Sequence, residues 1–249
     1  MNLTIDIGNT CAKLVVYEGN TPIYEEVSKD QLEESIQSVC SRFHPEQCAW
    51  CSVSGNDEET RSILSRLECP VIQLTGTSQV PLNVCYQSKA TLGPDRLAAV
   101  IGATTLMPDT DLLIIDAGTC ITYDLVDAQG NYLGGNISPG VKMRFKALKQ
   151  FTARLPYIEA NGYIPEIGIN TETAIRCGVF KGITYEIEGY IHELREKYPH
   201  LRVYLTGGNL TGEDKLSFSE KICKHFLTDS HLVSRGLNRL LGYQLSENK

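Results

Sequence analysis

Asp6-Ile7-Gly8-Asn9-Thr10-Cys11-Ala12-Lys13 decides the fold, because Asp116-Ala-Gly118-Thr119-Cys120 repeats its pattern 110 positions later. Each copy follows an apolar run, Leu3-Thr-Ile5 or Leu112-Leu-Ile-Ile115, and enters a second one, Leu14-Val-Val-Tyr17 or Ile121–Val126. That order reads as strand, tight turn, strand. Each turn carries a carboxylate, a glycine and a hydroxyl. The glycine leaves room for phosphate oxygens to approach backbone N–H groups, which form an anion nest. Thr10 adds a hydroxyl donor and Lys13 a compact positive charge. Asp6 repels a bare phosphate, so its natural partner is a hydrated Mg²⁺ on a nucleotide. In the second copy, Thr119 suits a phosphate and Asp116 a cation. A polar hairpin turn needs the same residue types, and one copy alone would be read that way. Two copies, with Thr206-Gly207-Gly208-Asn209 after a later strand, point to a nucleotide cleft between related halves.

The chain divides accordingly into residues 1–110 and 111–249, with Met107–Asp111 as the boundary. The first half reads as a strand over 2–7 and a hairpin of Lys13–Glu18 with Ile23–Val27 around Gly19-Asn20. Asp30-Gln-Leu-Glu33 resembles a capping pattern for a helix through Leu32, Ile36, Val39 and Phe43. A strand at Ala49–Val53, a helix at Glu58–Leu67 and a strand at Val71–Leu74 follow. Thr75–Leu92 is looser, and a helix runs from Pro94 to about Leu106. The second half repeats the hairpin, with Gly134–Gly140 as a stiff loop before a helix over Val141–Gln150. Asn170-Thr171 opens a long helix with Ala174, Ile175, Val179, Ile183, Ile187, Ile191 and Leu194 on one stripe. A strand at Arg202–Leu205 and a helix at His231–Leu241 close the chain. Two halves that mix a hairpin-edged sheet with helices make a duplicated α/β architecture.

Gly93-Pro94-Asp95-Arg96 has no counterpart in the second half. Pro94 lacks an N–H and suits a first helical turn, and Asp95 suits the positive helix end, so a plain helix start accounts for both. The chemical reading makes Asp95 a general base for an alcohol and Arg96 a donor to an anionic group. A carboxylate base needs hydrogen-bond reach to the hydroxyl and a place in line with the γ-phosphate.

Composition narrows the alternatives. The 249 residues are 42% hydrophobic and 21% charged, ordinary for a globular chain. A net charge of -7 without a Lys/Arg cluster argues against a nucleic-acid partner. No apolar run reaches the roughly 18–20 residues of a membrane span. The N-terminus has no basic start or small-residue cleavage site, so the expected location is cytoplasmic. The nine cysteines are odd in number and irregular in spacing. Cys48-Ala-Trp-Cys51 has metal-site spacing, but on a strand residues three apart face opposite ways, so these are structural thiols. His44, His192, His200, His225 and His231 are scattered and read as surface or structural, and Trp50 as core. There is no P-loop, GxGxxG, HExxH or GxSxG pattern.

The ordered set DIGNTCAK, GPDR, DAGTCITYDL, GGNISPG, NTETAI and LTGGN resembles type III pantothenate kinases, in the superfamily of actin, sugar kinases and heat-shock ATPases. The resemblance covers nearly the whole chain. It implies duplicated ribonuclease-H-like, actin-like domains with an interdomain nucleotide cleft. The implied reaction is ATP-dependent phosphorylation of pantothenate, the first step towards coenzyme A. Residues Asp6, Ile7, Gly8, Asn9, Thr10, Cys11, Ala12 and Lys13 would form the ATP phosphate loop, with Thr119 a second ATP contact. Asp95 would accept the proton, in a substrate loop of Gly93, Pro94, Asp95 and Arg96. Asp116 would hold a monovalent cation, K⁺ or NH₄⁺, beside the Mg²⁺ that accompanies ATP. Tyr86 and Thr171 would touch pantothenate. The family is dimeric, which implies a homodimer through the long helix. Cys11 and Cys120 are departures that leave every role in place. Another small-molecule kinase of the superfamily, or a regulatory protein without turnover, are the competing readings.

Overall fold

A computed structural model describes residues 1–55, 57–208 and 226–247. The chain packs as two units, one of Met1–Asp109, Asp127–Gly134 and His231–Lys249, the other of Thr110–Val126 and Gly135–Ser230. The break after Asp109 falls inside the boundary read from the sequence, yet the units are not two contiguous stretches. The final helix and a hairpin tip return to the first.

In the first unit, β1 (Asn2–Ile7), β2 (Ala12–Glu18), β3 (Thr21–Ser28), β4 (Gln47–Ser52) and β5 (Val71–Gln73) form a sheet in the order β3-β2-β1-β4-β5. The β1–β2 and β2–β3 pairs are antiparallel, and β1–β4 and β4–β5 are parallel. Alternation sets the faces. Leu3, Ile5, Ile7, Ala12, Leu14, Val16, Cys48 and Trp50 pack on Ile36 and Val39 of α1 (Leu32–Phe43) and Leu64 of α2 (Asp57–Leu64). The opposite face, with Thr4, Tyr17 and Ala49 buried, lies under α3 (Pro94–Leu106) and α6 (Leu232–Glu247). Cys48 and Cys51 therefore face opposite ways, as alternation predicts. The Tyr17 hydroxyl lies 2.8 Å from Ser234 Oγ, and Asn2 Nδ2 donates to Asn238 Oδ1 at 2.8 Å. Helices α3 and α6 cross backbone on backbone. A Cβ on Gly102 would lie 2.0 Å from the Leu232 carbonyl oxygen, and one on Gly236 1.9 Å from that of Ala98.

The second unit repeats the pattern. The strands β7 (Leu112–Ala117), β8 (Cys120–Val126), β9 (Asn131–Pro139), β10 (Arg202–Thr206) and β11 (Phe226–Thr228) run in the order β9-β8-β7-β10-β11, with a sixth, two-residue strand, β6 (Asn83–Val84), outside β9. Taking β7 for β1, this is the order of the first sheet, which gives the duplication a topological form. Its core joins Leu113, Ile115 and Tyr123 to Val141 and Phe145 of α4 (Val141–Gln150) and to the stripe Ile175, Val179, Ile183, Ile187 and Ile191 of α5 (Thr171–Lys197). Asn170 caps α5: its Oδ1 accepts from the Thr173 N–H at 2.9 Å, and Thr173 Oγ1 accepts from the Asn170 N–H at 3.1 Å.

Several boundaries differ from the sequence reading. Helix α1 starts at Leu32 behind Gln31, with no side-chain cap, so Asp30 does not serve as one. Helix α2 stops at Leu64, where Ser65 Oγ donates back to the Ser62 carbonyl and i→i+3 bonds tighten Arg66 and Leu67 into a turn. The segment Gly134–Gly140 is not a loop through its length, because β9 runs on to Pro139. Gly135 lets it do so: a Cβ there would lie 1.8 Å from the Tyr123 carbonyl oxygen of β8. The looser stretch before α3 holds a short strand, β6 (Asn83–Val84), paired with Asn131 and Tyr132, and a single 3₁₀ turn at Lys89–Thr91. Among the described residues no helix is long and apolar enough to cross a membrane.

Candidate active site

In the first unit, Asp6 sits near the C-terminal end of the central strand, opposite Lys13 of β2 on one side and Cys51 of β4 on the other. Residues in register share a sheet face, so the three side chains converge under the start of α3. Cys51 is fully buried, and its thiol donates to Asp6 Oδ1 at 3.5 Å. Asp95 stands in the first turn of α3 behind Pro94 at N1, and its Oδ1 accepts from the Arg96 N–H at 2.8 Å. Gly93 makes room for that carboxylate, since a Cβ would lie 2.6 Å from Asp95 Oδ1. Burial, and next the charge of Asp95, raise the Asp6 carboxyl to about 6 against the thiol hydrogen bond and Lys13, which lower it. Two carboxylates so close oppose each other's ionisation, and a cation favours both charges. The site thus fits a divalent cation on chemical grounds.

The loop after β1 is Gly8–Cys11, closed by the Gly8 N–H donating to the Cys11 carbonyl at 3.0 Å. Asn9 and Thr10 are exposed, whereas the Ile7 and Ala12 side chains lie in the core, so those two offer the loop only backbone. Lys13 Nζ pairs with Glu25 Oε1 at 3.1 Å, and Glu25 Oε2 lies 2.7 Å from His231 Nε2. Farther along the unit, Arg96 is buried with its guanidinium 5.7 Å from the centre of the Tyr86 ring. Tyr86 in turn stacks on buried Tyr132, with centroids 6.3 Å apart and planes 6° off parallel. The structure therefore joins Asp6, Lys13 and Asp95 in one cluster and Tyr86 with Arg96 in another, linked through the 95–96 backbone.

In the second unit, Asp116 lies opposite Thr122 of β8 and Thr206 of β10. The turn Gly118–Cys120 is one residue shorter than its counterpart and closes by the Gly118 N–H donating to the Cys120 carbonyl at 2.9 Å. That deletion places Thr122 where the first copy has Lys13. Thr119 is exposed at the tip. Gly207 has φ +102°, and a Cβ there would lie 2.5 Å from Asp116 Oδ1, so this turn can carry no side chain beside the carboxylate. Asn209 and His225 lie outside the described residues. Thr171, the first residue of α5, is exposed and lines a mostly apolar groove of about 750 Å³ between α4 and α5 with Arg144, Leu148, Leu155 and Ile175.

Residues 2–193 match the family model for type III pantothenate kinase. The chain belongs to this family. A type III pantothenate kinase of Bacteroides fragilis (strain YCH46) is 45% identical over 243 residues, 98% of each chain. Two solved structures share the fold. A Campylobacter jejuni protein assigned to the Baf family of transcriptional activators superposes with a TM-score of 0.63 at 23% identity, over 98% of this chain and 99% of that one. The activator of the 2-hydroxyisocaproyl-CoA dehydratase of Clostridium difficile, with bound ADPNP, gives 0.57 at 14% identity over 99% and 96%. The architecture is the duplicated, ribonuclease-H-like α/β fold of actin-like ATPases and sugar kinases.

Two polar groups near these sites escaped the sequence reading. Glu25 holds Lys13, and the signal was available: Lys13 pairs with Val27 across the hairpin, so Glu25 lies two residues along on the same face. In the second unit, Arg144 Nη2 donates to Glu186 Oε2 at 2.6 Å and to Ser138 Oγ at 2.8 Å, and the Tyr123 hydroxyl donates to Glu186 Oε1 at 2.7 Å. Burial alone would raise the Glu186 carboxyl, but the bonds from Arg144, Tyr123 and Ser138 outweigh it and hold it below the usual range. These residues come from four separate elements, β8, β9, α4 and α5, so no local spacing announces them.

Proposed function

We propose that Asp95 is the proton acceptor of the family reaction and Asp6 the carboxylate that faces the nucleotide's metal. A type III pantothenate kinase transfers the γ-phosphoryl group of ATP to the primary hydroxyl of pantothenate, the first step of coenzyme A synthesis, and this chain is assigned that reaction. The convergence of Asp6 and Asp95 beneath the start of α3 carries the assignment of roles. As the hydroxyl oxygen bonds to the γ-phosphorus, its proton passes to Asp95 and the bond to the β-phosphate oxygen breaks, releasing ADP. Mg²⁺, when bound with ATP, supplies charge neutralisation for the transferring group. The loop Gly8–Cys11 offers backbone N–H groups to the phosphates, and Lys13 offers its ammonium. Thr119 is the second ATP contact. Arg96 and Tyr86, already stacked, form the recognition surface for the acidic substrate, with Thr171 as a further contact. A coupled assay of ADP release with pantothenate, beside a panel of sugars and other hydroxy acids, tests the reaction. ADP release that does not depend on pantothenate would overturn it.

Asp116 is the seat of the monovalent cation, K⁺ or NH₄⁺, supported by its carboxylate's place at the end of β7, beside the Gly118–Cys120 turn and opposite Thr122 and Thr206. Replacing K⁺ by Na⁺ at constant ionic strength is expected to lower kcat at least severalfold, and equal rates in the two salts would remove the role. A homodimer is supported by Phe151, Tyr163, Ile167 and Ile169, all largely exposed ahead of α5, with Tyr185 exposed on that helix. The assigned location is the cytoplasm, where ATP is available.

The raised Asp6 carboxyl makes a pH prediction. Below about pH 6 the free enzyme carries a proton on Asp6, so kcat/KM is expected to fall on the acid side with a midpoint near 6. The same shift acts on stability with the opposite sense. The folded chain holds this proton more tightly than the unfolded one, so the Asp6 contribution is lost as pH rises from about 4 through about 6. Denaturant unfolding at pH 4.5 and 7 should show that slope in the wild type and not in Asp6→Asn. An identical slope in both would show that Asp6 titrates in its ordinary range.

A further inference from the structure

The thiol beside Asp6 has no place in the roles assigned above. Cys51 is fully buried, reaches no solvent, and sits at the register position of Asp6 on the neighbouring parallel strand. Its hydrogen is directed at Asp6 Oδ1 across 3.5 Å. Burial first, and then the charges of Asp6 and Asp95, disfavour its thiolate, so the group that meets Asp6 is a neutral donor. The duplicated fold supplies an independent observation. Superposing β1-β4 on β7-β10 places Thr206 at the position of Cys51, because Thr206 pairs with Asp116 as Cys51 pairs with Asp6. Thr206 is likewise buried. Each half thus sets a small side chain with one donor hydrogen on the strand next to its aspartate.

We propose that Cys51 is a positioning residue, whose thiol fixes the rotamer of Asp6 and keeps that carboxylate turned towards the nucleotide's metal. This rests on the reading of Asp6 given above. A carboxylate with Lys13 on one side, a second carboxylate nearby and an apolar floor has several orientations of similar energy. A single neutral donor selects one without pairing off the charge that the metal needs. A thiol does this more weakly than a hydroxyl, and it leaves the apolar floor intact.

The alternative is that Cys51 only fills space, and the two roles rank substitutions in opposite orders. A filler is replaced best by Ala or Val, since burying a serine hydroxyl among apolar groups is costly. A positioning donor is replaced best by Ser. Cys51→Ala is expected to lower kcat about tenfold, the scale of a hydrogen bond to a charged group. Cys51→Ser is expected to keep kcat within about threefold of wild type while melting below Cys51→Ala. Calorimetric titration with Mg²⁺ and a non-hydrolysable ATP analogue gives a readout apart from turnover, and Mg²⁺-dependent affinity should fall in the Ala variant and return in the Ser variant. Cys51→Val, apolar and near the thiol in volume, replaces Ala if that variant fails to fold. Wild-type kcat in the Ala or Val variant, or a Ser variant less active than either, overturns the proposal. Asp6→Asn separates the two layers. If it keeps full turnover, the reading of Asp6 fails; if it is inactive while Cys51→Ala is normal, only the role of Cys51 fails.

Discussion

Asp95→Asn is expected to lower kcat by about 10²–10⁴-fold, the usual contribution of a positioned general base, or roughly 3–5 kcal/mol in the barrier. The amide is the same size as the carboxylate, can still accept the Arg96 N–H, and meets the same space left by Gly93. The variant should therefore fold as the wild type does and bind ATP within about twofold of its affinity. What it lacks is a group able to take the hydroxyl proton as the phosphorus–oxygen bond forms. The measurement is a single-turnover rate beside a calorimetric ATP titration. A variant with near-normal chemistry would move the base elsewhere, and one that loses ATP binding as well would make Asp95 a structural partner of Asp6. Removal of this charge also relieves Asp6, because Asp95 is the second cause of its raised carboxyl.

Gly236→Ala is expected to destabilise the first unit by about 3 kcal/mol, at the upper end for an overpacked core position. The obstacle is the Ala98 carbonyl, 1.9 Å from where the methyl would sit. It is backbone inside α3, so it cannot rotate out of the way as a side chain would. A shift of roughly 6–12 °C in Tm follows for a chain of this size. Gly242→Ala, on the same helix, is the control. Its Cβ meets nothing within 4 Å and the position is exposed, so helix propensity alone acts and should stabilise by up to about 1 kcal/mol. Opposite signs for two Gly→Ala changes six residues apart would establish that the crossing, not helix propensity, governs α6. A neutral Gly236→Ala would show that α3 and α6 can separate at little cost.

The elements visible in advance were those governed by local pattern. Gly19-Asn20 between alternating apolar runs announced a hairpin, Gly93-Pro94-Asp95 a helix start, and the stripe from Ile175 to Ile191 a buried helix face. Element ends depart from local pattern where a neighbour decides the outcome. Gly134-Gly135 and Pro139 look like loop residues, yet the strand persists because β8 comes too close for a side chain. Asp30 has the right spacing for a cap, yet the backbone turns into the helix one residue later. The site was legible as two repeated motifs and one unique one. The approach of Asp95 to Asp6 was not, because 89 residues separate them and only the packing of α3 on the sheet brings them together. Cys51 was legible as a buried strand thiol, and its partner only through the register of β1 with β4.

The return of α6 to the first unit matters for how the enzyme is made. Asn238 Nδ2 donates to the Gly19 carbonyl at 2.9 Å, and Ser234 meets Tyr17, so the last helix closes over strands from the first twenty residues. A nascent chain that has not yet released residues after His231 from the ribosome leaves that sheet face covered by α3 alone. The face that carries Asp6 and Cys51 is completed only when α6 has emerged and packed on β1 and β4. A chain truncated before His231 would keep Asp6 and Cys51 and still lack the helix that packs over their side of the first sheet, and it is expected to be lost to proteolysis rather than to keep partial activity.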